Sequence, residues 1–327
     1  MDKEVKYSVV IRTLGTAGEK YQRLLDSLFK QTIAPSEIIV YIAEGYPLPK
    51  ETVSVEKYVY VKKGMVAQRA LRYREVSTEY ILFCDDDVWL PSNAVEELYD
   101  ALKENAADVI SPDVFSNAQR GLGAEILMTL SGRMRARRHD QVWGYKVMRT
   151  GGYSYNKYPY KKVYRSQTNA GPCFFCRKSD FLEINFEDEC WLDAMAYPLG
   201  EDQVMFNKMH CLGLKELTHY KSRIEHLDDG TARISHEKEY KTIYSDFYFK
   251  NIFWHRFIYL PERSMFLRFW SVLCILYPML FTMLISLLKF NMAVLKIKYG
   301  AIRDAWRFIR SEKYRMLPPI VRVKNPY

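Results

Sequence analysis

Five strand-like runs divide the first 112 residues: YSVVIRT (7–13), EIIVYIAEG (37–45), KYVYVKKG (57–64), EYILFC (79–84) and ADVISP (107–112). Helix-like segments lie between most of them, at 17–31, 65–77 and 92–105. In the first, Tyr21, Leu24, Leu25 and Leu28 recur at helical intervals. Strand and helix alternating at such short intervals predict an α/β fold with a mostly parallel sheet. The strand runs lack polar alternation, as expected when both faces of a sheet are covered. In such sheets ligands bind beyond the carboxyl ends of the strands. Arg12–Thr13, Glu44–Gly45 and Asp85–Asp87 would then share one rim.

Asp85, Asp86 and Asp87 end the fourth run directly. Three adjacent carboxylates repel one another. A divalent cation, Mn²⁺ or Mg²⁺, removes that repulsion, because it takes oxygen ligands and commonly combines one or two carboxylates with substrate phosphates. A solvated acidic turn with Asp87 capping a helix is the other reading of the triplet by itself. Glu201 and Asp202 follow Gly200 and open a helical run. The helix dipole favours acids there. Beside the triplet, one of them becomes a candidate general base for a hydroxyl.

Composition bounds the rest. Of 327 residues, 48% are hydrophobic and 27% charged, the balance of a core-forming protein. Cys84, Cys173, Cys176, Cys190, Cys211 and Cys274 are too scattered for a disulfide framework, and the lone CxxC has no second pair for zinc. No apolar leader run opens the chain, so a cytoplasmic protein is expected. Net charge is +9; residues 241–327 hold 15 Lys and Arg against 4 Asp and Glu, or +11, which leaves −2 for the remainder. Residues 113–168 are rich in Arg, Lys, Tyr and Gly with weak periodicity, and read as a mobile insertion near the site. The basic run RMRARRH (133–139) within it could hold a phosphate or be a solvated loop.

Taken in order, five pieces resemble the family 2 glycosyltransferases of the GT-A fold, over about residues 5 to 260. They are YSVVIRT, GMVAQRALRYREVSTEYILFCDDDVWLP, NAGPCFFCRKSDF (169–181), GEDQVMFNK (200–208) and FYFKNIFWHRFIY (247–259). The resemblance implies a GT-A catalytic domain over 1–240, with the basic insertion at about 116–168. It also implies a nucleotide-sugar donor, a glycan or lipid-linked acceptor, a divalent metal and inversion at the anomeric carbon, in an enzyme of the bacterial surface-polysaccharide type. Residue by residue, Asp202 would be the catalytic base with Glu201 beside it. Thr13, Glu44, Gly64, Ala67, Arg69, Asp85 and Asp86 would face the donor. Asn169, Ala170 and Gly171 would shape the acceptor side, and Asp87, Asp85 and His226 would meet the metal, with Asp85 and Asp87 as the ends of a DXD motif. Arg12 stands where the family commonly has proline, and AEGY replaces its aspartate-rich turn.

Residues 269–288 carry no charge over twenty positions, about a bilayer core in length. Basic residues flank both ends, which favours an interfacial or re-entrant pair of helices over one crossing. Met292, Leu295, Tyr299, Ile302, Trp306 and Ile309 form an apolar stripe, with Lys296, Lys298, Arg303, Arg307 and Arg310 off it. The expectation for 241–327 is a basic helical region on an anionic membrane surface, peripheral or monotopic, at the cytoplasmic face of a bacterial inner membrane. No nucleic-acid motif accompanies the basic residues, so nucleic acid is not an expected partner. An oligomer is left open. Two other classes remain: a metal-dependent sugar nucleotidyltransferase, which lacks its fuller glycine-rich phosphate loop in RTLGTAGEKY, and a non-catalytic basic membrane-binding protein, which leaves both acid pairs without a role.

Overall fold

The computed structural model describes residues 5–115, 119–227 and 236–323. Residues 116–118, at the start of the expected insertion, 228–235, and 324–327 lie outside the described residues. The chain begins β1 (Tyr7–Thr13), α1 (Glu19–Phe29), β2 (Glu37–Ala43), β3 (Glu56–Val61) and β4 (Tyr80–Asp85). A short β5 (Val88–Trp89), α2 (Ala94–Glu104) and β6 (Val109–Pro112) follow. Then come α3 (Leu122–Leu130), β7 (Met134–Arg137), β8 (Tyr145–Val147), β9 (Tyr153–Asn156) and β10 (Val163–Ser166). The chain continues with β11 (Cys173–Arg177), α4 (Lys178–Glu183), a 3₁₀ segment (Phe186–Ala194), α5 (Glu201–Leu212), β12 (Glu216–His219) and β13 (Glu225–His226). It ends with α6 (His236–Phe253), a π-helical turn (Trp254–Tyr259), α7 (Met265–Leu288), α8 (Met292–Ile309) and α9 (Glu312–Arg315).

Eight strands form the central sheet in the order β10-β12-β6-β11-β4-β1-β2-β3. β3, β2, β1 and β4 are mutually parallel, as are β6 and β12, while β11 and β10 run antiparallel to their neighbours. The mixed α/β architecture with a large central sheet is the expected one. Alternate side chains leave opposite faces. Val9, Ile11, Val40 and Leu82 pack on α1 and α2 through Leu24, Leu28, Leu98 and Leu102. Val10, Ile39, Ile81 and Phe83 face α5 and α6 through Phe206, Met209, Phe249 and Phe253. Cover on both sides is why these strands show no alternation. β3 is the sheet edge, and it is only half covered.

Three local expectations change. Residues 65–77 form successive turns rather than a helix. Val66, Tyr73 and Val76 are buried there, so the apolar spacing reflects burial rather than helical periodicity. The Asp193 carboxylate accepts from the Val66 and Ala67 N–H groups (2.7 and 3.1 Å) and holds the turn open to the rim. The insertion, read as mobile, is folded: α3 packs on a three-stranded sheet of order β7-β9-β8. Its strands are three or four residues long, too short for periodicity to show. Cys173 and Cys176 fall in the hydrophobic clusters on opposite faces of the sheet, which separates the CxxC thiols.

The C-terminal helices share one hydrophobic cluster with the α5 face of the sheet: Trp254, Phe257, Ile275, Ala305 and Ile309 join Phe174 and Phe206. Helix α6 itself runs through residue 240. Glu189, fully buried, accepts from Arg256 Nη2 (2.7 Å) and Nε (2.9 Å) and from Trp191 Nε1 (2.7 Å). Gly132 abuts Pro278 of α7, where a Cβ would lie 2.7 Å from the proline ring. α8 turns differently from the predicted stripe. Its buried residues are Lys298, Ala301, Ala305 and Ile309, while Tyr299 is exposed, because small side chains let α8 lie close on α6. Among the described residues α7 is the one helix long and apolar enough to cross a membrane, and only 28% of its most apolar window is buried.

Arg256→Met takes from the buried Glu189 its closest cation and leaves it Lys208 at 3.3 Å and the Trp191 N–H. The expected cost is about 3 kcal/mol, the low end for a buried ion pair that loses one partner. Urea unfolding should show a lower midpoint, and adding Glu189→Gln should restore much of it. An unmoved midpoint for Arg256→Met would show that the pair does not fasten the helical layer.

Candidate active site

Five chain segments meet at one rim: the end of β1, the 65–77 turns, the end of β4, the start of β11 and the N-terminus of α5. Parallel pairing sets Arg12 beside Asp85 across β1 and β4. Arg12 Nε lies 2.5 Å from Asp85 Oδ1 and its Nη2 3.1 Å from Oδ2, while Nη1 reaches Glu201 Oε1 at 2.6 Å. Arg69, 3% exposed, closes the ring from the 65–77 turns. It contacts Asp85 at 3.2 Å, Glu201 at 2.9 Å and Asp202 at 3.6 Å, and donates to the Gly171 carbonyl at 3.1 Å. Two guanidinium groups thus face three carboxylates.

Burial and charge divide these acids. Burial raises Asp85, but Arg12 and Arg69 overcome it and hold its carboxyl below the usual range. Burial pushes Asp86 up to about 6; Asp87 and Asp85 add to the rise, and a hydrogen bond from the Thr13 hydroxyl opposes it. Burial likewise pushes Glu201 up to about 7, against the pull of Arg12 and Arg69 and with the push of Asp202 and Asp85.

Asp87 turns away from this ring. Its Oδ1 lies 3.1 Å from His226 Nε2, and its carbonyl accepts from the Leu227 N–H at 2.7 Å. Pairing of β5 with β13 places the histidine there. Among the described residues no three His, Cys, Asp or Glu side chains are grouped to enclose a cation. The donor set nevertheless fits Mn²⁺ or Mg²⁺. One carboxylate and one imidazole face the cleft, and both metals accept water and phosphate oxygens at their other positions. Asp86 is a crowded carboxylate beside them, whereas Asp85 already has both oxygens on guanidinium groups.

The clefts are continuous. Arg12, Thr13, Gln68, the three aspartates and His226 line a cavity of about 520 Å³. Arg12, Gly64, Met65 and Gln68 also line the next one, about 590 Å³, which reaches Glu201 and Asp202. Asp202 then borders a third, about 430 Å³, with Asn169 and Thr168. Each is of the size that holds a small ligand. Two glycines allow this. A Cβ on Gly171 would sit 1.9 Å from Asp202 Oδ1, and one on Gly64 would sit 2.5 Å from Asp193 Oδ2.

The rim therefore gathers Thr13, Gly64, Arg69, Asp85, Asp86, Asp87, His226, Glu201 and Asp202. Ala67 stands behind it on Asp193, and Ala170 is buried beside Gly171. Asn169 lines the third cavity but is tied to β12, taking the Thr218 hydroxyl and donating to the Leu217 carbonyl at 3.5 Å. Glu44 is exposed at the end of β2 and lines none of the three cavities. Sequence reasoning put Arg12 at the rim without giving it a role, and did not place Gln68 or Asp193 there. Arg12 had a signal, a lone charge closing an apolar strand. Gln68, which donates to the Thr13 carbonyl at 3.2 Å, and Asp193 had none.

Residues 57–179 match the family described as glycosyl transferase family 2. A solved structure described as the crystal structure of GalNAc-T7 with UDP, GalNAc and Mn²⁺ is similar over 83% of this chain, at 14% identity and a TM-score of 0.49. The chain covers 55% of that structure's length. No curated protein matches.

Gly171→Ala should leave a folded protein with Asp202 or Arg69 displaced, and a crystal structure of the variant would show it; an unmoved Asp202–Arg69 pair would contradict the packing. Glu201 titrates at about 7 in the fold against 4.5 for a free glutamate. Its contribution to stability is thus fully present below about 4.5 and lost as pH rises through 7. Glu201→Gln should flatten the fall of Tm across that window; an unchanged slope would place the titration elsewhere.

Proposed function

We propose that this chain, whose residues 57–179 match glycosyl transferase family 2, moves a sugar from a nucleotide-sugar donor to a hydroxyl, with inversion and with Asp202 as general base. The observation that carries the reading is the shared cleft. Asp85–Asp87 and Asp202 come from distant parts of the chain yet open onto one groove, joined through Arg12 and Arg69.

Asp87 and His226 would hold a divalent cation, which when bound supplies positive charge to a departing nucleoside diphosphate. The chain's own residues do the remainder. Arg12 and Arg69 tie the Asp85 strand end to the start of α5, so the donor end and the base keep one separation. Asp202, its side chain a third exposed, faces the groove. It takes the proton of an acceptor hydroxyl as that oxygen bonds to the anomeric carbon and the carbon–oxygen bond to the diphosphate breaks. Glu201 is buried under the two arginines and serves as their anchor rather than as the base.

We read α7 and α8 as an interfacial pair on the cytoplasmic leaflet. α7 leaves Met265, Phe266, Phe269 and Leu280 exposed, and α8 adds Lys296, Arg303, Arg307 and Arg310 at its outer face. Apolar exposure beside basic residues suits an anionic membrane surface.

Asp202→Asn should lower transfer by about 10²–10⁴-fold, the usual worth of a general base, with nucleoside diphosphate binding kept. Equal losses of rate and donor affinity would contradict the role. Asp87→Ala should abolish the Mn²⁺-dependent rise in Tm that a nucleoside diphosphate produces; an intact metal effect would remove Asp87 from the site. Free nucleoside diphosphate as product supports sugar transfer, whereas pyrophosphate would make the enzyme a nucleotidyltransferase.

A further inference from the structure

The groove does not end at Asp202. Beyond it the third cavity passes Met128, Arg133, Asp246 and Lys250, and these same four residues line a further cavity of about 230 Å³. That inner chamber lies between α3, α6, α7 and α8. Its walls are apolar, among them Leu127, Ile275, Pro278, Met279 and Ile285. Leu127 is half exposed, and Leu122 and Ile126 on α3 and Leu280 and Leu284 on α7 are exposed as well. Apolar surface therefore runs from outside the molecule into the chamber.

A cationic collar divides the apolar chamber from the Asp202 side. Arg133 and Lys250 share the single carboxylate of Asp246, at 2.9 and 3.3 Å. Lys298, 9% exposed, reaches in from α8 and donates to the Thr282 carbonyl at 2.7 Å and the Ser286 hydroxyl at 2.8 Å. Three cations against one anion leave an excess of two positive charges, with Lys298 buried, Lys250 and Asp246 mostly covered and Arg133 open to the groove. Lys250 is pushed down to about 8 by burial, and neighbouring Arg133 and Lys298 oppose the pull of Asp246. An uncompensated buried charge is costly, so an arriving anion gains at this position. Arginine and lysine together are the side chains that hold phosphate.

We propose that the chamber and its collar form the subsite for a lipid phosphate. The alkyl or prenyl chain enters between α3 and α7, the phosphate rests on Arg133, Lys250 and Lys298, and the head group extends towards Asp202. This deepens the glycosyltransferase reading and rests on it, for it makes the acceptor lipid-linked.

The test is calorimetric titration of the full chain, without nucleotide, with farnesyl phosphate, farnesol and inorganic phosphate. Farnesyl phosphate should bind at least about tenfold more tightly than either of the others, the size of one charge-assisted hydrogen bond. Lys298→Met and Lys250→Met should each lose about that factor, and Lys298→Arg should keep the affinity. Lys298→Met gives up two hydrogen bonds and the contact with the Phe247 ring along with the charge, so its Tm is measured beside its affinity. Should it fail to fold, Met279→Trp fills the chamber from its apolar side and should lose farnesyl phosphate. Farnesol binding as tightly as farnesyl phosphate would overturn the phosphate collar. Inorganic phosphate binding as tightly would reduce it to a free-anion site, and no binding at all would remove the subsite. Nucleoside diphosphate binding with Mn²⁺, followed by thermal shift, reports separately on the Asp87 cleft. Donor binding without farnesyl phosphate binding sinks this inference alone; the reverse sinks the transferase reading instead.

Discussion

The ring of Arg12, Asp85, Arg69 and Glu201 is the contact on which the site depends. It ties the ends of β1 and β4 to the 65–77 turns and the start of α5. Each acid alone would be a buried charge without compensation, and each arginine likewise. Together they hold the paired ends of β1 and β4 to the 65–77 turns and to α5, to which no backbone ladder links them. The ring leaves one carboxylate more than it has guanidinium groups once Asp202 is included.

The helical layer reaches into this site rather than lying apart from it. Gly200, the residue before Glu201, has φ +81, and a Cβ there would lie 2.5 Å from the Phe249 ring of α6. The position of Asp202 is therefore set partly by α6. Glu189 and Arg256 fasten the same layer below, and Gly132 against Pro278 fastens the insertion to α7. The apolar helix thus sits a short packed distance from Asp202. An exposed apolar helix and the Asp202 groove on one packed layer are what the proposed lipid-linked acceptor would need.

Much of the sheet was legible because burial on both faces leaves a continuous apolar run, a signal that needs no partner to be seen. The acid turn was legible because three adjacent aspartates have few structural uses. The insertion was not, since β7 to β9 are too short to show a period and gain their order from packing on α3. The turns at 65–77 resembled a helix because burial on one side imitates its spacing. Arg12 was visible as a departure from the family's proline, yet its partners lie 73 and 189 residues away. No local pattern records such a distance.

Local chemistry by itself determined the βα alternation, the strand-end carboxylates, the acids opening α5 and the apolar length of α7, because each is a property of adjacent residues. Only the tertiary structure decided that Arg12 neutralises Asp85, that Glu201 is an anchor beside Asp202, and that Lys298 turns inward to join Arg133 and Lys250. Those facts depend on which charges meet after burial, and burial is settled by packing between elements far apart along the chain.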